Sequence, residues 1–153
     1  MTNRDTPVGA PEDRARSLVA SMRDACERLE RLGAEHETML DEGRYEDFAR
    51  SLAARADDIA TLERASVAVE SILADPGSAL TDREIAAIRE GIGSVGERVS
   101  RVLERDAAHQ ARVEGERDKL ATQLSGVQSS RTAMRAYGGG SRTPCPKLQD
   151  RQG

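Results

Sequence analysis

Two histidines, two cysteines and one glycine-spaced hexapeptide are the residues of this 153-residue sequence with the most obvious means to do chemistry. A metal site needs several Cys, His, Asp or Glu side chains at compatible spacing. No Cys or carboxylate stands at ligand spacing beside His36 or His109, so each is read as a packed, hydrogen-bonded histidine, and no metal is expected. Cys26 reads as a small core residue, and Cys145, between Pro144 and Pro146, as an exposed thiol. Neither has a His or Asp placed to activate it as a nucleophile. The segment GIGSVG, Gly91 to Gly96, fits the G-x-G-x-x-G spacing of a dinucleotide-binding turn, which requires a strand before it and a helix after. Here isoleucine and valine keep a helical period through the glycines, so they read as small residues that let helices approach. The many Asp and Glu residues are spread over solvated faces, frequently four residues from an Arg. Paired catalytic carboxylates need a pocket, and none is implied. The chain is expected to be no enzyme and to need no cofactor.

The elements that carry these residues are helical. Ala15, Leu18, Met22, Ala25, Leu29, Leu32, His36 and Met39 alternate steps of three and four, with Val19, Cys26 and Leu40 widening the face. The run stops at DEGRYED, where Gly43 can take the left-handed conformation that closes a helix. A second seam follows at Tyr45, Phe48, Leu52, Ile59, Leu62, Val69 and Leu73, and the short connection predicts an antiparallel helical hairpin from about Asp13 to Leu73. The break ADPGSAL precedes a strong start signal in LTDREI. There Thr81 and Glu84 have the spacing of a capping box, and Leu80 and Ile85 that of a hydrophobic staple.

From Asp82 a third helix is predicted to run without a proline to Ala136, about 80 Å if continuous. Its first half carries Ile85, Ile88, Ile92, Val95, Val99 and Val102. Its second half alternates Val113, Leu120, Val127 and Met134 with Glu116, Gln123 and Ser130. With less apolar area to bury, that half is expected to fray or to order against a partner. The sequence therefore predicts an all-α fold, a hairpin packed with a long third helix in a coiled-coil-like bundle. One helical domain, 13–136, is expected between an unstructured N-terminus, 1–12, and a flexible tail, 137–153.

Composition narrows the function. Charged residues make up 33% of the chain, and it has one Phe, two Tyr and no Trp, a mixture suited to long helices that bury a narrow stripe. The net charge of −4 disfavours non-specific nucleic-acid binding. No run of 18 apolar residues offers a membrane span. The N-terminus lacks the apolar segment of a secretory signal. A cytoplasmic protein is the expectation. The weakly apolar second half of helix three leads into AYGGGSRTPCPKLQDRQG, and that continuity favours a recognition segment. Val113, Leu120, Leu124, Val127 and Met134 are expected to face a partner, with Tyr137 beside them.

The stretch ETMLDEGRYEDFARSLAARADDIATLE, Glu37 to Glu63, resembles the N-terminal hairpin of FlgN-type flagellar export chaperones, in which an acidic, Gly-containing turn joins two such helices. The end of the chain, SSRTAMRAYGGGSRTPCPKLQDRQG, is similar to the C-terminal ends of some members. Arg44 departs from the pattern, standing where the family often has Asp or Asn, which would cap the second helix. The resemblance implies a chaperone that binds hook–filament junction proteins and delivers them to the export gate of the flagellar type III secretion apparatus. It places client binding in the C-terminal region, and suggests Met134 and Tyr137 as positions of contact, the tyrosine toward the gate. Two other readings stay open. One is a filament-cap-type flagellar chaperone, and the other a structural coiled-coil protein that dimerises through the same heptads. A monomer and a homodimer are both compatible with the pattern.

Overall fold

The computed structural model describes residues 9–138, and all of its regular structure is helical. The expectations for residues 1–8 and 139–153, Cys145 included, lie outside the described residues. Four α-helices follow one another: α1 (Pro11–Asp41), α2 (Tyr45–Ser51), α3 (Ala56–Ala74) and α4 (Asp82–Gly138). A 3₁₀ turn, Leu52–Arg55, joins α2 to α3. Contacts group the chain into two units, residues 1–111 and 112–153, where the sequence suggests one helical domain over 13–136.

The first unit is a bundle of α1, α3 and the proximal part of α4. Helix α1 begins with Pro11 in its first turn beside Glu12 and Asp13, which suit the positive end of the helix dipole. The buried face includes Ala15, Val19, Met22, Cys26, Leu29, His36 and Leu40. Its end is closed by Gly43 at φ +70. The Gly43 amide donates to the Leu40 carbonyl at 3.2 Å and the Arg44 amide to that of Met39 at 2.8 Å. This is the paired 5→2 and 6→1 closure of a Schellman motif, and the left-handed Gly43 expected from DEGRYED is present.

The second helix of the hairpin differs from expectation. The seam from Tyr45 to Leu73 predicts one helix, and the structure interrupts it at Leu52–Arg55. Leu52 is exposed, and Ala53, Ala54 and Ala56 give this stretch no large apolar anchor in its place. Ser51 Oγ donates to the Phe48 carbonyl at 2.8 Å, competing with the backbone ladder at the step where the α-helix gives way. The tighter 3₁₀ winding rephases the two halves. Arg44 makes no side-chain cap for α2. Its guanidinium instead bridges Glu42 at 3.0 Å and Asp47 at 2.7 Å.

Helix α3 returns antiparallel to α1, with Arg28 pairing to Asp58 at 2.7 Å. A turn through Pro76 follows, in which Asp75 Oδ1 accepts from the Gly77 amide at 2.8 Å. Then comes the capping box. The Thr81 amide donates to Glu84 at 2.6 Å, and the Glu84 amide donates to Thr81 Oγ1 at 3.3 Å. The Thr81 amide and then the Thr81 hydroxyl, which also donates to this carboxylate at 2.7 Å, hold the Glu84 carboxyl down at about 2. The same carboxylate reaches α1, where a hydrogen bond from Glu12 raises that residue from its ordinary value.

Helix α4 runs parallel to α1 through the bundle. Val19 meets Gly91, Glu27 meets Arg98 at 3.3 Å, and Gly33 lies under the Arg105 side chain, so the register is nearly constant. The core combines Ala15, Val19, Met22 and Cys26 of α1 with Ala65 and Val69 of α3 and Ile88 and Val95 of α4. A Cβ on Gly91 would lie 2.9 Å from Val19 Cγ1, whereas Gly93 and Gly96 have open space around them. Only the first glycine of GIGSVG is thus required by close helix approach. The second unit, over its described residues, is the distal part of α4, helical as far as Gly138.

Two stability predictions follow from these contacts. Thr81→Ala removes a bond to an otherwise unpaired amide and lowers bundle stability by roughly 0.5–2 kcal/mol. Thr122→Ala, whose hydroxyl only returns to the Asp118 carbonyl at 3.0 Å, leaves the chemical-denaturation midpoint in place. An equal shift from both would show that the cap has no special role. In the same assay Gly96→Ala stabilises by up to ~1 kcal/mol through helix propensity. Gly91→Ala fails to reach that gain because Val19 must move, and identical gains would contradict the close approach described above.

Candidate partner-binding site

Three features of the described residues could serve a function: an exposed apolar stripe, an apolar groove and a buried histidine cluster. The stripe lies on distal α4. Leu120, Leu124, Val127 and Met134 are all exposed, Tyr137 is 89% exposed, and Val113 is half-buried. At 3.6 residues per turn the first four fall within an arc of roughly 80° together with Val113. Tyr137 lies to one side of that arc. The sequence-derived contact residues therefore share one face of a helix, with Tyr137 at its edge. The opposite face is small and polar, with Ser125, Ser129, Thr132, Ala133 and Ala136. No side chain between Arg117 and Gly138 is even half-buried. A helix that leaves four large aliphatic side chains uncovered has the form of an amphipathic recognition surface.

The groove belongs to the bundle and was not foreseen from the sequence. It has a volume of about 500 Å³ between α1, α3 and proximal α4. Met22, Cys26 and Leu29 form its floor side, with Ile59 and Leu62 on α3 and Ile92, Val99 and Leu103 on α4. Ile59 and Leu103 are exposed on its rim. Its origin is a shortage of bulk, since Gly96 and Ser66 also line it. The in-period glycine was the visible signal, but which residues would face it across the bundle depended on a register that spacing alone does not provide. Burial, reinforced by the Glu30 charge, pushes the Cys26 thiol up and keeps it protonated, an inert wall residue.

At the end of the groove Arg55 forms a bidentate pair with Asp106, one bond being 2.8 Å, and beyond it lies the histidine cluster. The His36 ring is fully buried, with its centroid 5.0 Å from that of Phe48 and 6.2 Å from that of His109. His36 Nε2 lies 2.6 Å from Ser51 Oγ, and Nδ1 has no hydrogen-bond partner. Because Ser51 gives its proton to the Phe48 carbonyl, Nε2–H is the donor to Ser51, which leaves only a lone pair of Nδ1 unmatched. The opposite tautomer would strand an N–H in the core, at greater cost. A serine and a histidine in hydrogen-bond reach can form a nucleophile and base when a third group orients the ring. Nothing orients it here, and Ser51 is committed to backbone. Both histidines are packed, as expected, and His36 is hydrogen-bonded to Ser51. Among the described residues no cluster of three or more His, Cys, Asp or Glu could hold a metal ion.

No protein-family model, no curated protein and no solved structure matches this chain. The functional reading therefore rests on the residues themselves. No helix among the described residues is long and apolar enough to cross a membrane.

The histidine cluster makes stability depend on pH. Burial is the main reason that His36 is held below its ordinary value of 6.5, and the facing Arg55 and His109 add to it, against Asp106 and Glu35. The unfolded chain then binds the extra proton first. His36's contribution is fully present above about pH 6.5 and is lost as pH falls below it. Thermal melts from about pH 7.5 to about pH 5.5 are expected to show a declining midpoint that flattens in His36→Gln. A wild-type slope unchanged in that variant would assign the effect to other groups.

Proposed function

We propose that this protein is a non-catalytic binding protein that holds an amphipathic segment of a partner along distal α4. The observation that carries this reading is the uncovered stripe of Leu120, Leu124, Val127 and Met134 on one helix face. Burying each such side chain on a partner contributes about 1.5–3 kcal/mol before the cost of association. That is enough, over four or five anchors, for a specific and reversible complex. The resemblance of Glu37–Glu63 and of the C-terminal segment to FlgN-type chaperones supports a more specific form. In that form the partner is a hook–filament junction protein, distal α4 protects its amphipathic end before export, and Tyr137 takes part in delivery to the gate in the cytoplasm. The exposure of Tyr137 is compatible with such a contact.

A second reading is favoured by the seven-residue spacing of Val113, Leu120, Val127 and Met134, which is the repeat of a coiled-coil seam. Against a self-zipper stand Glu116, Gln123 and Ser130 at the alternate seam positions, where a homodimer would have to bury them.

Binding to purified hook–filament junction proteins tests the proposal, with truncation after Glu116 and the double substitution Leu120→Glu, Leu124→Glu as variants. Both are expected to lose the complex while the bundle's thermal melt is retained. Tyr137→Ala is expected to spare client binding and reduce export in cells. Full affinity in the truncated protein would move the client surface off distal α4.

A further inference from the structure

Charge divides the chain where contacts divide it. Residues 1–111 carry 15 basic and 23 acidic side chains, and residues 112–153 carry 8 basic and 4 acidic ones. From Lys119 to Gly138 the distal helix holds Lys119, Arg131 and Arg135 and no acid. Arg131 falls within the arc of the apolar stripe and Arg135 at its edge. Each unit also leaves one apolar surface uncovered, the groove on the bundle and the stripe on distal α4. Their lengths agree. The groove runs along α4 from Ile92 to Asp106 and the stripe from Leu120 to Met134, each about 21 Å at 1.5 Å per residue.

We propose that the groove of the bundle receives the distal α4 of a second copy of this chain, in a reciprocal exchange that makes the same contact twice. A closed two-fold dimer has this self-complementary form. Two acidic bundles repel one another, so the basic distal helix is the part of a second copy that the field of a bundle attracts. The walls at Gly96 and Ser66 lack bulk where the aliphatic side chains of the stripe supply it. Glu63, on the α3 wall, provides an acid for the stripe's arginines. The inference goes beyond the client-binding reading, because it states what covers the stripe when no client is present. A client and a second copy then compete for the same face.

Sedimentation equilibrium on the full chain tests this. The expected mass rises with concentration from 16.6 kDa to twice that value. Leu120→Glu with Leu124→Glu removes the stripe, and Ile59→Glu with Leu103→Glu removes the groove. All four positions are exposed, and circular dichroism melts verify that the variants fold. Each variant alone is expected to remain monomeric. An equimolar mixture of the two is expected to recover a dimer, since one intact groove meets one intact stripe. Glu63→Arg, and separately Arg131→Glu with Arg135→Glu, leave the apolar walls alone and are expected to weaken the dimer by about tenfold or more. A wild-type mass that stays monomeric at every concentration would overturn the proposal. So would a groove variant that dimerises like wild type, the result of a distal-helix zipper. The groove variant keeps the stripe, so it binds a client at least as tightly as wild type whether or not the dimer forms, and failure of the client-binding reading shows instead as no client binding by the wild-type chain.

Discussion

The parallel approach of α4 along α1 is the contact from which the rest of the bundle takes its arrangement. It requires Gly91 beneath Val19, where a single Cβ would collide at 2.9 Å, whereas Gly33 lies beneath the flexible side chain of Arg105. Along this contact Ile88 and Val95 join Val19, Met22 and Cys26 in one core. Arg105 secures the same register by donating to the Glu30 carbonyl at 2.9 Å, and Arg98 pairs with Glu27 on the same edge. Exposed ion pairs contribute little energy individually. Here their common offset matters more, because each selects the alignment that packing selects.

That alignment has consequences further along. It sets Asp106 against Arg55 and His109 near His36 and Phe48, thereby building the end of the bundle from the 3₁₀ turn, α2 and α4. The junction forms where α2 gives way to the 3₁₀ turn: Ser51, the last residue of α2, meets His36, and Arg55, the last of the turn, meets Asp106. A buried imidazole with one unmatched nitrogen is a costly component, and it couples the stability of this end to proton concentration. The other consequence is the groove. A bundle with so few aromatic side chains fills its interior with Val, Ile, Ala and Met, and where Gly96 and Ser66 line the groove the walls do not meet.

Distal α4 poses the opposite problem. The bundle lacks bulk in one place, while this helix displays bulk with nothing over it. The recognition surface proposed for it must be held in a defined conformation to bind without a large ordering cost. Continuity with a capped and packed helix is a direct way to favour it. The interior of the bundle thus serves the proposed function indirectly, by starting the helix at the Thr81 and Glu84 box.

Much of this was determined by the chain locally. Helical periodicity, the Gly43 closure and the Thr81–Glu84 box depend on residues within a turn of each other, so their geometry could be read from spacing. The exposed stripe was legible for the same reason: Val113, Leu120, Leu124, Val127 and Met134 share a face of any α-helix. Where local rules were insufficient, tertiary structure decided. An apolar seam continues from Tyr45 to Leu73, yet the helix is interrupted at Leu52–Arg55, where Ser51 meets His36 of α1 and Arg55 meets Asp106 of α4. Among the glycines of GIGSVG, the sequence makes no distinction, and the helix opposite does. Gly91 lies against Val19, and Gly96 opens onto the groove. A cavity is a property of facing surfaces, and the register between distant segments is set by the sum of many weak contacts that no single stretch of sequence contains.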